Sequence, residues 1–231
     1  MDERALSRFT AASGIATAGL TLVALGVFGA LSPPTGSDSP VEVAKFFANH
    51  QMAVYVAAYI AALSIGTNLM FYVGLRDVLR RRAPGSETLA TTGLVGGIAF
   101  ISILFVAFAI LLQLAYRKGA GDPGLQQSLF DVQALITSVP TAVSVIAISV
   151  VVLRERVFAP WVGWYGFAVA AIHLISVGSL AHEGFFTPGV VAGLVAPLMF
   201  EVWLVAVSVE LLMRPTFASR TTLGQPKPAA F

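Results

Sequence analysis

The chain has no cysteine, which excludes a disulfide framework and a thiolate metal site. Charge is the second scarcity: Asp, Glu, Lys and Arg make up 11% of the residues, where a soluble domain carries about 25%. The three histidines, His50, His173 and His182, lack HExxH or comparable spacing, and His182-Glu183 alone is too short a signal, so no metal centre is expected. A glycine-rich phosphate loop, a nucleophile elbow and paired carboxylates are missing as well. These absences argue against an enzyme, a bound cofactor or a nucleic-acid partner.

What the chain has is lipid-soluble sequence. Hydrophobic residues reach 57% and the mean hydropathy is +0.83. Runs without charge cover 9–37, 51–75, 88–116, 132–153 and 157–181, and a sixth over 184–209 is interrupted only by Glu201. Each exceeds the roughly 20 residues that carry a helix across about 30 Å of hydrocarbon. They are continuously apolar and do not alternate over about ten residues, which excludes a membrane barrel. The expected fold is all-α, a polytopic transmembrane bundle of six helices at about 10–31, 51–75, 89–116, 132–153, 158–181 and 189–213, in one domain spanning 1–213. The core of the first span is longer than the apolar stretch of a signal peptide, so it is read as a retained anchor. Residues 214–231, rich in Thr, Ser, Pro and Gly without apolar period, are expected to be a disordered tail.

Cation placement orients the bundle. With the amino end in the cytoplasm, eleven of the 14 Lys and Arg fall inside and only Lys45, Arg117 and Lys118 outside, which puts both termini in the cytoplasm. Trp161 and Trp164 then anchor the fifth span at the inner interface. Arg80, Arg81 and Arg82 are explained by this topology and by attraction to anionic lipid. Eleven Arg against three Lys, with abundant Ala, Gly and Val, suggests a GC-rich bacterial genome, hence a multi-pass protein of the bacterial plasma (inner) membrane with the lipid bilayer as its first partner.

Between spans one and two, Ser39-Pro40-Val41-Glu42 offers an N-cap, a proline at N1 and a glutamate at N3, which predicts a short helix through His50. Val41, Ala44, Phe47 and Ala48 would share its apolar face, laying it along the outer surface as a lid or a gate.

The candidate site grows from Glu201. A carboxylate at mid-bilayer costs roughly 2.5–3.5 kcal/mol on insertion scales unless something pairs with it. Gly189, Gly193, Pro197 and Glu201 are spaced by four and share one helix face, and Pro197 kinks the helix and frees the Gly193 carbonyl. His173 in the fifth span reaches a similar depth and is the expected hydrogen-bonding partner of Glu201. Gln133, Thr137, Thr141 and Ser144 in span four, with Ser64 and Asn68 in span two, would line a polar cavity beside them, although Ser and Thr also satisfy their own backbone. The pairs Gly93/Gly97, Gly189/Gly193 and Gly14/Ala18 permit close helix contact.

The chain resembles a family of small bacterial membrane proteins of about six helices, catalogued as a domain of unknown function. The resemblance is carried by Arg154 or Arg156, Pro160, Trp161, Gly163 and Gly166 at the start of the fifth span, and by Pro197, Glu201, Trp203 and Leu204 in the sixth. It implies a six-helix bundle and supplies no catalytic residue. Two functions remain open. One is a carrier or binding protein for a small apolar or cationic molecule held at Glu201, His173, Asn68, Gln133, Thr137 and Thr141, with Glu201 as the protonatable group. The other is a structural or regulatory subunit whose glycine faces contact a membrane protein partner or a second copy.

Overall fold

The computed structural model describes residues 2–34, 38–118, 120–178 and 191–214, with the side chains of 133–135 and 192 excepted. His182, Gly189 and the 215–231 tail lie outside the described residues. Among those described, every regular element is helical: α1 (Glu3–Gly29), α2 (Pro40–Asn49), α3 (Gln51–Arg82), α4 (Glu87–Arg117), α5 (Pro123–Leu135), α6 (Ser138–Glu155), α7 (Pro160–Val177) and α8 (Ala196–Met213), the last preceded by a π-helical turn, Val191–Val195. Six helices are long and apolar enough to cross a membrane, the sixth counted from Gly193. Ile15, Leu22, Val56, Leu63, Phe105 and Leu174 stand exposed on their flanks.

The six long helices form a closed ring. α1 packs on α3, α3 on α4, α4 on α6, α6 on α7, α7 on α8, and α8 returns to α1. In lipid no hydrophobic drive holds helices together, so close packing must do it. A Cβ on Gly96 of α4 would lie 2.9 Å from the backbone nitrogen of Ser144, and one on Gly97 would lie 2.6 Å from the Tyr72 ring. Gly93 faces Ile148, and Gly14 faces Phe71 and Ser208. Gly14 of α1 and the Gly93/Gly97 pair of α4 therefore serve contacts within the ring.

One end of the ring is tied by charge. Arg82, closing α3 with its side chain 1% exposed, donates from Nε to Glu3 Oε1 at 3.2 Å and from Nη2 to Ser7 Oγ at 3.0 Å and to the Arg214 carbonyl at 2.7 Å. Arg214 in turn pairs with Glu210 at 3.1 Å, and Glu210 accepts from the Ala159 N–H that begins α7. Arg80 and Arg81 remain exposed; the third arginine of the run is a structural clasp, which its neighbours in sequence conceal.

The opposite end carries a cap. α2 has the expected capping box, with Glu42 accepting from the Ser39 N–H at 2.7 Å and Ser39 Oγ accepting from the Glu42 N–H. Its buried face is Val43, Ala44, Phe46 and Phe47, while Val41 and Ala48 are exposed. The expected face is thus rotated, because α2 packs on α5, α3 and α4 together; Phe47 meets Phe130 of α5 with ring centroids 5.8 Å apart.

α5 itself departs from the sequence expectation of a fourth span beginning near 132. Pro140 has no N–H for the Ile136 carbonyl and its ring crowds that carbonyl, so α5 ends at Leu135 and α6 starts afresh at Ser138. The far end of α5 is set by Asp122, which accepts from the Gly124 N–H at 2.9 Å, followed by Pro123 at N1.

Candidate functional site: a cavity inside the ring

Helix α3 explains where the ring is filled and where it is hollow. Toward its C-terminus it sends Phe71, Tyr72, Leu75, Val78 and Leu79 into the core, all essentially inaccessible. Toward its N-terminus the same inner face carries Ala57, Ala58, Ala61 and Ser64. Across from the large residues stand Trp203 and Leu204 of α8, both 0% exposed. The small residues leave a cavity of about 530 Å³ between Glu201 and the cap, and side chains from all six ring helices and from α5 line it.

Glu201 reaches it as the four-residue spacing in the sixth span requires: Gly193, Pro197 and Glu201 all face the cavity. The helix approaches Pro197 through the π turn Val191–Val195 instead of a simple kink. A widened turn accommodates a residue that cannot donate to the preceding turn. Glu201 is 5% exposed, its Oε2 has no hydrogen-bond partner, and Thr21 of α1 is the polar side chain beside the carboxylate.

His173 of α7 and Asn68 of α3 face the same cavity, 5% and 3% exposed. Asn68 Oδ1 is buried without a partner, and the His173 imidazole, which makes no bond to another side chain, lies beside the Ala196 backbone. The expected hydrogen-bonded His173–Glu201 pair does not form. Phe200 packs edge-on against the imidazole, with centroids 6.4 Å apart, so an aromatic ring rather than the carboxylate meets the histidine. The two groups share a cavity without touching.

The remaining expected residues divide. Thr137 and Thr141 line the cavity, but the Thr141 hydroxyl donates to the Thr137 carbonyl at 2.8 Å, and that of Ser64 to the Ala61 carbonyl at 2.7 Å. Those hydroxyls are spent on their own helices, as is usual for Ser and Thr in such segments. Ser144 turns away and donates to the Gly93 carbonyl at 2.7 Å. The Gln133 side chain lies outside the described residues.

Sequence reading missed Thr21 and the apolar wall on α4, where Phe100, Leu104, Phe108 and Leu111 line the cavity. Their spacing of four, four and three was a legible signal of one helix face. A second depression, about 770 Å³, opens on the flank between α4 and α6. None of its lining residues has a buried polar atom left without a partner, which makes the central cavity the better candidate. Of the motif residues behind the family resemblance, Gly166 of α7 and Trp203 of α8 meet: a Cβ on Gly166 would lie 2.9 Å from the indole Nε1. The chain matches no family model, no curated protein and no solved structure.

Proposed function

We propose that this is a multi-pass protein of a bacterial plasma membrane that binds, and as a carrier would move, a small molecule in the cavity beneath the α2–α5 cap, with the clasped end in the cytoplasm. The observation that carries the reading is the pair of buried, unpartnered oxygens on Asn68 and Glu201, with His173 facing the same cavity from a third helix. Buried polar groups in proteins are almost always satisfied, and an intramembrane ionisable residue facing the inside of a bundle marks a functional site by default. The volume lies within the range usual for small-molecule pockets, about 300–1,000 Å³. These three side chains make no hydrogen bond to one another.

Native mass spectrometry of the gently extracted protein tests the proposal. Wild type should retain a small molecule that Glu201→Gln and the cavity-filling Ala61→Phe both lose while staying folded. Bare protein in all three, or the same lipid on all three, would sink it. Orientation is tested separately. The chain has no cysteine, so single cysteines at the exposed Arg81 and Lys45 can be labelled from either side without background. The expected result is inside for Arg81 and outside for Lys45.

A further inference from the structure

We infer that the cavity takes a lipophilic amine in its protonated form, with ammonium N–H groups donating to the Glu201 carboxylate and the Asn68 amide oxygen and the apolar body lying along the α4 wall. The inference rests on the cavity being a small-molecule site and adds the chemical class of its ligand.

Hydrogen-bond polarity comes first. The unpartnered oxygens of Glu201 and Asn68 are acceptors, so they call for a ligand that donates. The hydroxyls of Thr141 and Ser64 already donate to their own helices. His173 in its neutral form offers one donor and one acceptor, which adds a single adaptable position, and Asp131 of α5 is a second acid in the lining. A carboxylate or a phosphate would find the Asn68 amide N–H groups and one His173 nitrogen as donors, but no Lys or Arg among the described lining residues to offset the Glu201 carboxylate.

Charge points the same way. Among the described residues no Lys or Arg lines the cavity, and no cation pairs with Glu201. An incoming ammonium would be its counter-ion in a setting of low dielectric, where a pair is worth far more than in water. An inorganic cation fits poorly, because hard cations such as calcium take six to eight oxygen ligands and most of this lining is hydrocarbon. The lining supplies Phe28, Phe100, Phe108 and Phe200 from three helices; phenyl faces attract cations and phenyl edges hold an apolar body. A quaternary ammonium would gain the charge but has no N–H for Asn68.

The test uses four probes that share one apolar body: phenylbutylamine, phenylbutanol, phenylbutyrate and phenylbutyl-trimethylammonium, titrated calorimetrically into the full chain in nanodiscs. The amine should bind at least about tenfold tighter than the alcohol and tighter than the quaternary analogue, with the butyrate weakest. Glu201→Gln should bring the amine down to the alcohol and leave the alcohol within about twofold. Asn68→Leu should narrow the amine's advantage over the quaternary analogue, which guards against misfolding of the first variant. Equal affinity for amine and alcohol in wild type, both lost in Ala61→Phe, would overturn the amine assignment and leave the cavity reading standing. No binding of any probe to wild type would overturn both.

Discussion

The two ends of the ring are built from the same kinds of helix and behave as opposites. At the clasped end, Trp203, Tyr72 and Phe71 fill the centre, glycines bring backbones together, and Arg82 joins α1, α3 and the residue after α8. At the capped end, alanines leave the centre hollow, and Asn68, His173 and Glu201 line it. α3 runs through both and changes character between Ser64 and Phe71. Dense packing and free volume are thus segregated along the helix axes.

The sharpest way to break this contrast is to add bulk at both ends. Gly96→Leu forces carbon against the Ser144 backbone, which has no rotamer to give; a loss of about 3 kcal/mol, or failure to fold, is expected. Ala61→Phe adds more atoms but points into open space, so its cost should stay below about 1 kcal/mol. Comparable losses in a reversible detergent-denaturation assay would mean that the cavity is not free volume. Next in size is the clasp. Arg82→Met removes three hydrogen bonds, one to a carboxylate that water can partly reach, and should cost about 2 kcal/mol. Arg82→Lys should recover little of this, because one ammonium cannot reproduce the guanidinium fork.

Glu201→Gln sharpens the comparison from the other side. It replaces a buried carboxyl that has no cation partner by an amide of the same shape, so stability should hold or rise by up to about 1 kcal/mol; a marked fall in melting temperature would assign the carboxyl a structural role. The smallest effect is expected at the cap. The Ser39 backbone N–H, then the Ser39 hydroxyl, hold the Glu42 carboxyl below its ordinary value of 4.5. A depressed folded value stabilises α2 fully above that ordinary value, and the benefit is lost as pH falls through the depressed one. A spin label at Lys45→Cys should therefore gain mobility on acidification below about pH 4.5, with a smaller change in the Ser39→Ala background.

What could be read from sequence was what repeats or punctuates locally. Six apolar runs gave six helices, Ser39-Pro40 and Glu42 gave the α2 cap, and the spacing Gly193, Pro197, Glu201 gave a face that does point inward. Asp122-Pro123 carried the same punctuation as Ser39-Pro40 and could have revealed α5. The order of helices around the ring, and therefore the neighbours of any polar residue, is not a local property. Phe200 shows why: its place beside His173 depends on how two helices dock, and one aromatic ring there is enough to part a histidine from a carboxylate at similar depth. Arg82 was hidden differently, because one arginine of a run looks like its neighbours until the residues that surround it are known.

The ring closure between α1 and α8 has a topological consequence. Because the first and last long helices are neighbours and their ends meet at Arg82, no seam distinguishes them from any other adjacent pair. A circular permutant that joins the residue before α1 to the residue after α8 by a short linker, and opens the chain at 83–86, would keep every helix on its own side. The order in which the helices are synthesised would then be free to vary while their arrangement stayed the same.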